Sequence, residues 1–259
     1  MEFASIATGS SGNCNIVRSD NTTLVVDMGL PWNRTNSGLK HFDVDNVDAF
    51  FVTHEHIDHI GGLDVVSRQI DAPIYTTRGT NQGIGERKGE TGADLRLVHN
   101  GAKIGDISVI PISTFHDTYE PNGYIFECGD ERLTLITDTG KIDDGILDVI
   151  CDSDAVMLEA DYEDSILREG MYAQNLKERI LSEHGHLSND DAAQILLTAV
   201  EKGRLKKALL IHGSQNTNTP LTAYKKVRDK LMSKGYWLDI DLMLAVADRE
   251  VPSSIIKVK

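Results

Sequence analysis

The chain has 259 residues, of which 40% are hydrophobic and 25% are charged, the composition of an ordinary globular protein. Its formal net charge is −14, from 26 basic and 40 acidic residues, which argues against a protein that holds nucleic acid through a broad basic surface. No apolar run approaches the roughly 20 residues of a membrane span, and no secretory signal is visible, so we expect a soluble, cytoplasmic protein without a membrane partner.

The cysteine pattern predicts neither disulfides nor a thiolate metal site, and the lack of linkers predicts one domain over residues 1–259. Cys14, Cys128 and Cys151 are odd in number and far apart, which argues against a disulfide framework and a thiolate zinc site. The 6 prolines are scattered, and no repeat or low-complexity tract divides the chain.

Alternating strand-like and helix-like segments predict an α/β fold. Strands are predicted at 22–27, 48–54, 72–77, 106–114, 123–129, 132–138, 155–161, 207–213 and 242–248. Helices are predicted at 61–70, 175–183, 189–202 and 221–234, the third with Ser188 or Asn189 as its N-cap. Several strands are apolar on both faces, as in sheets covered by helices. Consecutive strands between 106 and 138 add antiparallel hairpins, so we expect a layered sandwich with mixed sheets.

The stretch "FVTHEHIDHIGG", residues 51–62, concentrates metal-ligand side chains at the end of a predicted strand. In an extended segment His54 and His56 point the same way and Glu55 points oppositely, so the two imidazoles can share one ion without Glu55. If the chain then turns toward a helix, Asp58 and His59 project to a neighbouring point. The motif therefore supplies ligands for two adjacent metal ions.

Three further candidate ligands follow other predicted strands. His116 comes after the strand at 106–114, Asp138 ends the strand at 132–138, and His212 ends that at 207–213. We expect His116 to complete the first metal set, His212 the second, and Asp138 to bridge them, because two cations roughly 3.5–4 Å apart need an anion between them. Histidine and carboxylate ligands suit Zn(II), Mn(II) or Fe(II).

Other polar residues are candidates for support and for substrate contact. The Gly- and Ser-rich turn "TGSSGN" carries Ser10, Ser11 and Asn13, which are candidates for phosphate contact, although a plain hairpin turn has the same composition. Ser214, close after His212, is a further substrate candidate. Asp27 is expected to orient a ligand histidine through its second nitrogen, or else to cap a turn.

The motif "THEHIDH" resembles the signature of the metallo-β-lactamase fold, an αβ/βα four-layer sandwich with a dinuclear site. The chain is similar, more narrowly, to the WalJ or YycJ branch of that superfamily, through segments at 7–14, 51–63, 116–124, 137–140, 176–193 and 210–220. This resemblance implies a 5'-to-3' DNA exonuclease that uses a hydroxide bridging two metals. It also implies seven metal ligands: His54, His56, Asp58, His59, His116, Asp138 and His212.

The resemblance implies a catalytic pair outside the metal ligands. The segment "GHLSN" is similar to the "GHST" segment of tRNase Z enzymes and places His186 at their catalytic histidine, while "MLEAD" places Glu159 at a site acid. A phosphodiesterase needs a group that protonates or stabilises the leaving oxygen, and an acid beside His186 would raise its pKa. His184 competes by proximity but lies outside the Gly-His-Leu-Ser pattern. Asp58 is expected to take part in catalysis as well.

Other functions remain open on the sequence. An RNA or cyclic-nucleotide phosphodiesterase, or a thioester hydrolase of the glyoxalase II kind, would use the same fold. A non-catalytic metal-binding protein is disfavoured because it has no need of two open-sided cations. The combination of Glu159 with His186 favours phosphodiesters, because thioester cleavage needs less help for its leaving group. We therefore expect DNA as the substrate, with RNA as the alternative.

Overall fold

The computed structural model describes all residues, 1–259, as two seven-stranded sheets with helices on their outer faces. The first sheet contains β1 (Glu2–Ala7), β2 (Cys14–Arg18), β3 (Thr23–Val26), β4 (Ala49–Phe51), β5 (Ile74–Thr76), β6 (Leu95–Leu97) and β14 (Ile256–Lys257). The second contains β7 (Ala102–Ile104), β8 (Ile107–Ser113), β9 (Asn122–Cys128), β10 (Glu131–Ile136), β11 (Ala155–Glu159), β12 (Lys207–Ile211) and β13 (Met243–Val246). All nine predicted strands are present, most of them shorter at their ends.

The helices are α1 (Trp32–His41), α2 (Ile57–Ile60), α3 (Leu63–Gln69), α4 (Arg78–Lys88), α5 (Asp144–Cys151), α6 (Asp164–Glu169), α7 (Gln174–Ile180), α8 (Asn189–Lys202) and α9 (Pro220–Met232). The helix predicted at 61–70 is present as α3, shorter at both ends, and the one-turn helix α2 precedes it. The sequence did not predict α1, α2, α4, α5 or α6. None of the helices has the length and apolarity that crossing a membrane requires.

Both sheets mix antiparallel and parallel pairing. The first runs in the order β14-β1-β2-β3-β4-β5-β6, with parallel pairs from β3 to β6. The second runs β13-β12-β11-β10-β9-β8-β7, with parallel pairs from β10 to β13 and antiparallel pairs from β7 to β10. This pairing confirms the predicted mixed sheets.

The core lies in three layers of apolar side chains. Phe51, Tyr124 and Leu209 belong to the layer between the two sheets. The other two layers fill the space between each sheet and its helices, which makes the fold a four-layer sandwich. Because β3, β4, β10, β11 and β12 are fixed on both faces, the segments that follow them are held at a defined edge of the structure.

Candidate active site

Three of the candidate residues named from the sequence lie within two residues of a strand end and have strained backbones. Asp27 has a φ of 67°, Asp138 one of 52° and His212 one of 57°. Side chains other than glycine rarely adopt this left-handed region, and each instance costs on the order of 1–3 kcal/mol. Such conformations persist where the surrounding fold holds them, and they cluster at functional sites.

The first metal set predicted from the sequence, His54, His56 and His116, lies together. His116 Nδ1 is 3.1 Å from the carbonyl oxygens of both His184 and Gly185, and because a carbonyl only accepts, Nδ1 carries the proton. His116 Nε2 therefore presents a lone pair, 3.1 Å from His56 Nδ1. Burial holds the pKa of His54 well below its usual range and lowers that of His56 to about 4. These imidazoles are neutral at pH 7, the form that binds metal.

The second predicted set, Asp58, His59 and His212, forms an adjacent cluster. Asp58 Oδ2 lies 3.6 Å from His59 Nε2 and 3.7 Å from His212 Nε2. His59 Nδ1 donates to Asp27 Oδ2 at 2.7 Å, which directs Nε2 toward the cluster. This is the contact that the sequence predicted for Asp27.

Asp138 lies between the two sets. Its Oδ1 is 3.6 Å from His116 Nε2 and 3.4 Å from His212 Nε2, while its Oδ2 is 3.3 Å from His59 Nε2. Burial favours the neutral acid, but the charges of His212 and His59 outweigh it and hold the pKa of Asp138 well below its usual range. One ionised carboxylate therefore faces both clusters.

These residues fit divalent metal. Three buried ring nitrogens that could coordinate metal have no hydrogen-bond partner: Nε2 of His54 and both ring nitrogens of His212. The set offers imidazole and carboxylate without thiol, which suits Zn(II), Mn(II) or Fe(II). Glu55 is not part of it: its Oε1 accepts from the backbone N–H of Tyr119 at 2.9 Å.

The structure also brings His186 and Glu159 together. Glu159 Oε1 lies 2.7 Å from His186 Nδ1, and its Oε2 accepts from the backbone N–H groups of Thr139 and Leu187. Burial lowers the pKa of His186, but the charges of Glu159 and Asp161 outweigh burial and raise it to about 9. Glu159 thus fixes the orientation of the ring and supports its protonated form.

The start of α8 holds the His186 segment in place. Ser188 caps the helix by accepting from the backbone N–H of Asp191, whose side chain accepts in return from the backbone N–H of Ser188. His186 lines a cleft, whereas the side chain of His184 is exposed outside it.

Comparison with known proteins agrees with this geometry. A family model described as a beta-lactamase superfamily domain matches residues 25–212, a span that contains all seven predicted metal ligands. A Bacillus anthracis protein named exodeoxyribonuclease YycJ is 33% identical over 260 residues, covering 98% of each chain. The chain belongs to the YycJ and WalJ branch of the beta-lactamase superfamily.

Two further relatives support the assignment to this superfamily. Exodeoxyribonuclease WalJ of Streptococcus pneumoniae is 32% identical over 248 residues, covering 93% of this chain and 92% of that protein. The metallo-beta-lactamase fold protein YhfI of Bacillus subtilis superposes with a TM-score of 0.71 over 98% of this chain and 99% of that one, at 14% identity. The likeness to YhfI concerns the fold alone.

The superfamily site opens into a cleft of about 400 Å³. Its lining includes several predicted residues: Ser10, His56, Asp58, His116, Asp138, His186, His212 and Ser214. The sequence did not predict the rest of the lining: Ile57, Arg87, Asp161, Tyr172, Leu176, Arg179 and Ile180. Five of them lie within the quoted segments but carry no ligand or catalytic pattern of their own. Arg87 and Tyr172 lie outside every quoted segment, because α4 and the turn between α6 and α7 reach the cleft only through the tertiary fold.

The turn at 8–13 is divided between the cleft and the interior. Ser10 lines the cleft, and Ser11 is exposed outside the lining. Asn13 is buried: its Oδ1 accepts from the backbone N–H of Gly9 at 2.7 Å, and its Nδ2 lies 3.0 Å from His59 Nε2. The structure thus places Asn13 beneath the turn, against His59, one of the predicted metal ligands.

Proposed function

We propose that the chain is a metal-dependent phosphodiesterase, a 5'-to-3' DNA exonuclease that uses two divalent ions, Zn or Mn, with Fe as a third candidate. The observation that carries this proposal is the position of Asp138 between two ligand clusters, beside a histidine oriented by Glu159. The near full-length identity to exodeoxyribonuclease YycJ supports the choice of DNA as the substrate.

In this proposal seven side chains hold the metals. His54, His56 and His116 hold one ion, Asp58, His59 and His212 hold the other, and Asp138 contacts both. Bound divalent ions lower the pKa of a coordinated water toward about 7 and stabilise negative charge on phosphate oxygens. Asp58, which lines the cleft, is proposed to contribute to the reaction as well as to hold metal.

His186 is proposed as the general acid. Its Nδ1 is engaged by Glu159, so its Nε2 is the nitrogen left to give a proton to the leaving oxygen. When DNA is cleaved, the leaving group is an alkoxide, and protonation of its oxygen strongly favours its departure. A thioester needs less help, and the presence of this pair therefore favours phosphodiesters over a glyoxalase II-like reaction.

The cleft also offers groups for the rest of the substrate. Ser10 and Ser214 supply hydroxyls for phosphate oxygens, and Ile57, Tyr172 and Leu176 add apolar surface to the lining, on which a base can pack. With a net charge of −14, the protein has little general attraction for a long duplex, so we propose binding at a strand end.

A substrate panel tests the proposal. The protein is incubated with DNA labelled at its 5' or 3' end, as single and double strands, with RNA of the same sequence, with a cyclic phosphodiester and with a thioester. We expect the 5' label to be released first from DNA. An Asp138→Ala preparation, purified in parallel, controls for contaminating nuclease. Cleavage of the thioester or of RNA alone, with DNA intact, would contradict a DNA exonuclease.

A further inference from the structure

Two cations, Arg87 and Arg179, line the cleft, and they differ in what they contact. Arg179 binds Asp117 through two contacts, Nε to Oδ2 at 2.6 Å and Nη2 to Oδ1 at 2.8 Å. Its charge is therefore already matched by a carboxylate. An anionic ligand would have to compete with Asp117 for it.

Arg87 has no such partner. Its exposed guanidinium makes no ion pair and no hydrogen bond. The adjacent acid Glu86 is engaged elsewhere, since its carboxylate accepts from Gln82 Nε2 at 2.9 Å and from the hydroxyl of Tyr119 at 2.8 Å. Arg87 is thus an unpaired cation at the wall of a cleft that also contains Asp58, Asp138 and Asp161.

The helix that carries Arg87 is fixed to the loop after His116. The backbone N–H of Gly79 donates to Glu120 Oε2 at 2.7 Å, and the hydroxyl of Thr80 donates to the Glu120 carbonyl at 3.2 Å. Gly83 packs against Glu55 so closely that a Cβ at Gly83 would lie 2.3 Å from the Cγ of Glu55. Because α4 and the loop after His116 share these contacts, the helix backbone that carries Arg87 is fixed beside the predicted metal ligands.

We propose that Arg87 binds a phosphate of the substrate other than the one that is cleaved, and so selects phosphate chains over esters that carry a single phosphate. This inference rests on the proposed phosphodiesterase function. The planar guanidinium suits two hydrogen bonds to phosphate oxygens. In a protein with a net charge of −14, a single unpaired arginine at the cleft is a specific point of attraction for such a chain.

Arg87→Gln tests the inference, with Arg78→Gln as the matched control. Arg78 is exposed on the same helix, has no side-chain partner and lies outside the cleft. For Arg87→Gln we expect KM for an oligonucleotide to rise roughly 10- to 100-fold with kcat little changed, the scale of a hydrogen bond to a charged group. An aryl phosphodiester with one phosphate should be cleaved as by wild type. Arg78→Gln should match wild type on both substrates.

Salt dependence supplies a second readout. If Arg87→Gln loses one phosphate contact, the slope of log(kcat/KM) against log salt should become less steep by about 0.7 for a single strand. Arg87→Lys should keep the salt slope of the wild type, because lysine retains the charge. It should recover only part of the affinity that Arg87→Gln loses, because lysine lacks the planar fork.

Binding without hydrolysis separates this inference from the proposed function. Fluorescence anisotropy of a labelled oligonucleotide with chelated protein should show weaker binding for Arg87→Gln than for wild type and Arg78→Gln. If wild type hydrolyses no phosphodiester, the proposed function fails, and the binding comparison still tests Arg87. Equal binding by Arg87→Gln and Arg78→Gln, or an equal loss on the single-phosphate ester, would overturn the role of Arg87.

Discussion

Asp138→Ala is expected to remove both metal ions and to abolish phosphodiester hydrolysis. The carboxylate faces the histidines of both sets, with oxygen-to-nitrogen distances of 3.3 to 3.6 Å to His59, His212 and His116. Two neighbouring dications repel each other strongly, and a shared anion offsets that repulsion. Elemental analysis of the purified variant, beside a hydrolysis assay, measures both effects.

His116→Ala is the comparison that identifies a bridging role. His116 belongs to one ligand set only, so this variant should lose mainly one ion. Circular dichroism checks that both variants remain folded. If Asp138→Ala and His116→Ala each lose a single ion to the same extent, Asp138 does not join the two positions.

His186→Ala is expected to keep both metals and the fold while losing roughly 10²–10⁴-fold in turnover on DNA, the usual scale for a general acid. The loss should be smaller with an activated aryl phosphodiester, whose leaving group departs without a proton. Turnover on both substrates, with metal content measured in parallel, tests this. Glu159→Gln should weaken the same step, because it removes the charge that orients the ring.

His184→Ala is the matched control, since His184 lies in the same loop and is exposed. Its contact with His116 uses the backbone carbonyl, which the substitution retains. Loss of a metal ion from His186→Ala would instead make His186 a ligand, consistent with its place in a cluster with Asp138 and His212. Equal losses on both substrates would exclude proton donation to the leaving group.

The grouping of the candidate ligand side chains could be predicted because local rules determine most of it. Alternation along an extended segment places His54 and His56 on one side and Glu55 on the other. Asp138 and His212 follow strands that end at the same edge of a sheet, so their approach follows from the topology. The number of ions and the roles of the seven ligands stay predictions.

The walls of the cleft could not be predicted in the same way. The α4 sequence "RGTNQGIGERK" has three glycines and no apolar stripe, which disfavours a helix by local criteria. It is held by distant partners, Glu55 and Glu120, that only the fold brings near. The sequence alone therefore does not identify Arg87 as a residue of the cleft.

The turn at 8–13 shows a different limit. Its composition suggested phosphate contact for Ser10, Ser11 and Asn13 alike. Gly9 and Gly12, with φ values of 100° and 136°, redirect the chain so that Ser10 lines the cleft and Asn13 is buried. Composition identifies a turn, but the backbone conformation decides where each side chain points.

The central claim is that divalent ions held by this cluster carry the hydrolysis of phosphodiester bonds. Its most direct test measures two quantities on the same preparation: the metal content per chain and the rate at which a 5'-labelled DNA strand is cleaved. Both are measured before chelation, after chelation, and after Zn(II) or Mn(II) is restored. We predict two ions per chain, loss of cleavage on stripping and recovery on restoring metal. Protein that carries no more than trace metal and cleaves DNA at an unchanged rate would contradict the claim.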